Sequence, residues 1–197
     1  YETLAEYSRV FEGGQTNMFI VDASEHSGEN AAPIRDLEVL DAIERIEDEI
    51  DDVPETTTVS LVTILKAVHV DLGIPGVEDQ SLWEILHDEC WNITRDPDFS
   101  DLLHPQCAPY YGSSQPKMVN VAFDTLSVEI RSMLMDEVNQ AIGGETQTLV
   151  YVNQPYINLR DAGELRDEID GFLNIGFPEL PDVEVTELTG GLPLSLD

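Results

Sequence analysis

A strand, an amphipathic helix and a second strand succeed one another twice in this chain, and that recurrence constrains the fold more than any other feature. The first unit begins at Thr16 to Asp22, where Met18, Phe19, Ile20 and Val21 form a short apolar run behind a Gly13-Gly14 turn. Pro33 then opens a helix. Its apolar positions Ile34, Leu37, Leu40, Ile43, Ile46 and Ile50 fall three or four apart, with Asp41, Glu44, Asp48 and Asp51 on the other side. After Val53-Pro54 the β-branched stretch Val59 to Leu65 reads as a second strand passing into helix. The second unit has Thr146 to Asn153 as strand, Asp161 to Asn174 as helix with Leu165, Ile169, Phe172 and Leu173 on one face, and Val183 to Leu188 as closing strand. Two such units predict an α+β fold: a ferredoxin-like split β-α-β sandwich, with two helices on one face of the sheet.

The predicted organisation is one domain over residues 1–197, with a first β-α-β half at 16–75 and a second at 141–190. Between them, 80–140 has helical periodicity in Leu82, Trp83, Ile85 and Leu86 and again from Met118 to Leu134, predicting a helical insertion. The centre of the insertion, Asp96 to Pro116, is rich in Pro, Asp and Ser and reads as an irregular loop.

Charge narrows the function classes. Forty Asp and Glu face nine Lys and Arg, a formal charge of -31, and the only lysines are Lys66 and Lys117. A polyanion repels phosphate backbones and anionic lipid, so nucleic acid is excluded as a partner. Such acidity resembles the proteins of salt-accumulating haloarchaea, whose surface carboxylates hold hydrated cations. Most carboxylates here are therefore expected to be solvated surface, and pairs such as Glu44 and Asp48 need no acid-base role. No stretch reaches the ~20 apolar residues of a membrane span.

The sharpest constellation is His87-x-x-Cys90 with His104-x-x-Cys107. It could form a tetrahedral zinc set, but two cysteines bordering a loop in a chain outside the cytosol favour a Cys90–Cys107 disulfide. Asn92-Ile93-Thr94 is a glycosylation sequon at Asn92 in the same region. Trp83, Trp91, Tyr110 and Tyr111 are candidates for an apolar substrate groove, with packing of the insertion as the plainer reading. His69, on an apolar segment, reads as a core histidine. Asp22, Ser24 and His26 lie too close together for a catalytic relay, and no catalytic, cofactor or metal set is predicted.

The order of elements resembles a known family. The helix LEVLDAIERIEDEI (Leu37 to Ile50), the stretch VPETTTVSLVTILK (Val53 to Lys66), LSVEIRSMLMD (Leu126 to Asp136), the strand Thr146 to Val152 and the ending VEVTELTGGLPLSLD (Val183 to Asp197) are similar, in that order, to the first extracytoplasmic loop of resistance-nodulation-division superfamily exporters. These are large hydrophobe-exporting membrane proteins related to the mycobacterial lipid transporters. The resemblance covers about residues 16–75 and 118–197; the cysteine-bearing insertion departs from it.

It implies a non-enzymatic, porter-type domain on the extracellular face of the cell membrane, in an exporter driven by an ion gradient. Tyr1 would follow one membrane helix and Asp197 precede the next. The implied partners are the transmembrane helices and second extracytoplasmic domain of the parent transporter and a hydrophobic small-molecule or lipid substrate; homo-oligomerisation is compatible with it. The alternatives are a free-standing secreted or cell-surface α+β binding module of a halophile and, third, a zinc enzyme using the His-Cys set.

Overall fold

The computed structural model describes residues 14–70, 79–91, 107, 110, 113–136, 145–155 and 159–190. Strand β1 (Gly14–Asp22) leads through a loop and a single 3-10 turn (Pro33–Arg35) into helix α1 (Leu37–Asp51) and strand β2 (Thr57–Val59). Helix α2 (Leu61–Ala67), the strand pair β3 (His69–Val70) and β4 (Gln80–Ser81), and helices α3 (Leu82–Leu86), α4 (Gln115–Thr125) and α5 (Val128–Leu134) follow. Strand β5 (Gln147–Pro155), helix α6 (Leu159–Ile175) and the short strands β6 (Glu184–Val185) and β7 (Thr189–Gly190) complete the order.

The main sheet runs β2-β5-β1-β6, antiparallel throughout, with β7 also paired to β1. Each β-α-β unit is thus split by a strand of the other: β5 lies between β1 and β2, and β1 between β5 and β6. This is the ferredoxin-like α+β arrangement. Strand alternation decides which face is covered. Phe19 and Val21 of β1 and Val150 and Val152 of β5 are buried, whereas Met18, Ile20, Leu149 and Tyr151 between them are only half-buried. Against the buried face α1 sets Val39, Leu40, Ile43, Ile46 and Ile50, and α6 sets Ile169 and Leu173. Leu61, Leu65, Leu86, Val119, Phe123 and Leu134 belong to the same cluster, so the elements inserted between β2 and β5 share the core of the sandwich.

Four boundaries differ from the sequence expectation, each for a local reason. The helix predicted to open at Pro33 opens at Leu37, because the extended backbone of Asp36 (φ -70°, ψ 133°) separates it from the 3-10 turn at Pro33–Arg35. Only Val59 of the predicted Val59 to Leu65 strand lies in the sheet. Ser60 Oγ accepts from the backbone N–H of Val62 and of Thr63, while Thr63 Oγ1 accepts from the Ser60 N–H at 3.2 Å; this reciprocal cap starts α2 at Leu61 in spite of the β-branched composition. The closing strand is shorter than Val183 to Leu188. Asp170 accepts from the Leu188 N–H at 2.8 Å and Arg166 donates to the Leu188 carbonyl, which draws the chain toward α6 after two paired residues. Helix α4 starts at Gln115, with Pro116 in its first turn, before the predicted Met118.

Candidate ligand cleft

A cleft of about 560 Å³ opens between the loop after β1, the start of α1 and the start of α4. Its wall includes His26, Glu29, Asp36, Glu38 and Asp41 on the sandwich side and Gln115, Pro116 and Val119 on the insertion side. The loop leaves β1 in a fixed direction, because Asp22 accepts from the Ser24 N–H at 2.9 Å and from Gln147 Nε2 at 2.5 Å. Burial raises the proton affinity of the Asp22 carboxyl, but these hydrogen bonds outweigh it and hold its pKa below the usual value. The loop then turns His26 inward.

The His26 side chain is only 7% exposed, and its Nδ1 lies 3.0 Å from Asp182 Oδ2. A carboxylate only accepts, so that contact places a proton on Nδ1. On the opposite edge of the ring Nε2 stands 3.7 Å from Asp36 Oδ2 and has no hydrogen-bond partner among the described residues. Asp36 occupies the N-cap position of α1, yet its side chain makes no cap hydrogen bond. Its carboxylate accepts instead from the Asn30 backbone N–H at 3.4 Å and faces His26. Gly28 makes the approach feasible: a Cβ built there would overlap that carboxylate and come within 2.9 Å of His26 Nε2.

The insertion side is held by Arg35, whose fork pairs with Glu145 at 2.6 and 3.0 Å and donates to Asn120 Oδ1 at 3.2 Å. Asn120 in turn donates to Asn30 Oδ1 at 2.8 Å, which joins α4 to the cleft loop. Burial lowers the proton affinity of Arg35, but Glu145 and Asp124 more than reverse this and raise its pKa. At the outer rim His87 Nε2 meets Asp41 Oδ1 at 2.7 Å and Nδ1 meets the Trp83 carbonyl at 2.9 Å. Burial works against the imidazolium, and these two bonds overcome it, so the His87 pKa is raised.

The residues singled out in the sequence lie elsewhere. Cys90 and Cys107 are joined as a disulfide, with Cα atoms 5.3 Å apart. They form a second small cluster with Ile85, Trp91 and Tyr110, the two rings meeting edge to face at 4.7 Å. Trp91 Nε1 donates to the Ile85 carbonyl and Tyr110 to Asp88, both at 2.8 Å. Burial, with the Asp88 carboxylate, pushes the Tyr110 phenol up. Trp83 is buried in the main core beside His87, and neither it, Trp91 nor Tyr110 lines the cleft. Asn92, His104 and Tyr111 lie outside the described residues. His69 is exposed on β3, not in the core, because among the described residues its strand pairs only with the short β4.

Sequence reasoning set His26 aside, with Asp22 and Ser24, as too close together for a relay, and did not single out Asp36 or Asp182 as its neighbours. Asp182 is 156 residues away and carries no local mark; an Asp before a helical pattern signals a cap, and here the cap is the role it does not take. Among the described residues no group of three or more His, Cys, Asp or Glu is placed to hold a metal ion, and no helix is long and apolar enough to cross a membrane. Comparison with protein-family models, with curated proteins and with solved structures found no match to this chain.

Proposed function

We propose that this chain is the porter-like extracytoplasmic domain of an ion-gradient-driven exporter of the resistance-nodulation-division superfamily, serving hydrophobic or amphiphilic compounds. The observation that carries the reading is the interleaved sheet β2-β5-β1-β6 with helical elements inserted between its halves, since the resemblance rests on the order of those elements. In this role the domain cycles between conformations and contacts substrate but makes and breaks no covalent bonds. Its partners are the transmembrane helices and the second extracytoplasmic domain of the parent protein.

The test uses the complete parent gene in a salt-tolerant host, with the exposed Ser132 replaced by cysteine. Labelling of Ser132→Cys by a membrane-impermeant maleimide on intact cells, recovery in the membrane fraction, and uncoupler-sensitive export of a hydrophobic dye are the expected results. Labelling only after lysis would overturn the placement. Recovery from the culture medium would select a secreted binding module instead.

A further inference from the structure

Directly opposed residues of antiparallel strands share a face, so the pairing register sets three rows on the side of the main sheet away from α1 and α6: Thr57–Asn153–Thr16, Val59–Tyr151–Met18–Thr189 and Leu149–Ile20. No side chain in these rows carries a charge, in a chain with 40 carboxylates. Val59, Met18, Ile20 and Leu149 are only half-buried and belong to neither hydrophobic cluster, because both long helices pack against the other face. Met133, 61% exposed, borders the rows where Tyr151 donates to its carbonyl at 3.4 Å. With strands about 4.8 Å apart and residues about 3.4 Å apart along them, five residues of four strands span about 17 by 19 Å, or roughly 300 Å².

A second copy of the chain fits this face poorly. It would cover less than half of the roughly 800 Å² that each partner of a stable complex buries, and it would bring another charge of -31 against the first. One short helix matches the area, and the chain carries such a segment directly before β1. In residues 1–11 (YETLAEYSRVF) Tyr1, Leu4, Tyr7 and Phe11 fall three or four apart on one side of a helical projection, with Glu2, Glu6 and Arg9 on the opposite side. Eleven helical residues are about 16 Å long and about 10 Å wide. Gly13 and Gly14 lie between this segment and the body of β1, and a glycine pair permits the sharp reversal that would lay it back along that strand. The other face is already filled by α1 and α6. We propose that residues 1–11 form an amphipathic helix that covers the open face of the sheet, with Leu4, Tyr7 and Phe11 resting on Met18, Ile20, Leu149 and Tyr151 and the charged side turned to solvent. The inference stands apart from the exporter reading and holds equally for a secreted module.

The experiment follows the four methionines of the 197-residue chain in molar potassium chloride. Oxidation by dilute hydrogen peroxide, read site by site by mass spectrometry, is expected to be about tenfold slower at Met18 than at the exposed Met133. In Leu4→Asp/Phe11→Asp, which sets carboxylates in the apolar stripe, the Met18 rate should rise to within about twofold of the Met133 rate, while the buried Met135 stays protected and reports an intact fold. Glu2→Gln/Glu6→Gln, on the side turned to solvent, should leave the Met18 rate at the wild-type value. Methyl-labelled NMR should show a nuclear Overhauser contact between the Met18 methyl group and the Phe11 ring that is absent from Phe11→Leu. Met18 oxidising as fast as Met133 in the intact chain would overturn the proposal, and so would a Met18 rate indifferent to Leu4→Asp/Phe11→Asp. Protection of Met18 that disappears on dilution, together with a dimer in sedimentation, would give the face to a second copy instead. Should the double variant lose its fold, seen as oxidation of Met135, the Phe11 contact decides: its absence from the wild-type spectrum overturns the proposal.

Discussion

At the scale of the residue, the two cations that hold the insertion against the sandwich differ in how they respond to solvent. Arg35 is only 11% exposed and Glu145 only 7%. Substituting Arg35→Ala leaves a carboxylate buried without its partner, and an uncompensated buried charge costs about 3–5 kcal/mol. Urea denaturation of the variant is expected to show a loss of that order, with Arg35→Lys recovering only part of it because an ammonium cannot reproduce the two-pronged contact. His87 is more open and titrates. Its folded pKa lies above the ordinary 6.5, so its bond to Asp41 stabilises the fold fully below that value and is lost as the pH rises through the raised one. The stability difference between wild type and His87→Gln, measured by denaturant midpoint, is therefore expected to be largest at mildly acid pH and to shrink above neutrality. A difference that grows with pH would contradict this assignment.

At the scale of the element, α2 shows a few hydrogen bonds overruling composition. Ser60 is fully buried and supplies the cap. Ser60→Ala is expected to cost about 1–2 kcal/mol in a denaturant titration, while Thr57→Ala, at an exposed edge position, should have little effect. The same element shows where sequence reading succeeds and where it stops. Helix α1 is legible because Leu40, Ile43, Ile46 and Ile50 mark its buried face, and β1 and β5 because each carries a short unbroken apolar run, Met18 to Val21 and Leu149 to Val152. Helix α2 is legible only in part: the stretch reads as a strand passing into helix, but Val62 and Ile64 favour the strand, and the Ser60–Thr63 cap sets the change as early as Leu61. The cleft is less legible still. His26, Asp36 and Asp182 come from three separate segments, and their meeting depends on the packing of the loop after β1 against the loop after α6.

At the scale of the whole molecule, charge and covalent closure act together. With -31 on 197 residues, like charges repel over about 30 Å in dilute buffer and over about 3 Å at molar salt. The thermal midpoint is expected to be higher in molar potassium chloride than in dilute buffer; an equal or lower midpoint in salt would show that repulsion is not a limiting term. The bond between Cys90 and Cys107 spans 17 residues, for which the chain-entropy model gives about 3 kcal/mol. Cys90→Ala/Cys107→Ala is expected to lose about that much by chemical denaturation in high salt.

The interleaved sheet has a consequence for how the chain is made. Strand β1 leaves the ribosome well before its pairing partners, which are residues 147–155, 184–185 and 189–190. Until these emerge, Phe19 and Val21 have helix α1 to rest against but no neighbouring strand, and β2 cannot stand in, because β5 must lie between the two. Sheet formation therefore waits until residues 147–155 have been made, and the closure of so long a loop makes it a late and slow event. In the interval the dense carboxylates of α1 keep the nascent amino-terminal half dispersed, so the acidity that burdens the finished fold protects the unfinished one.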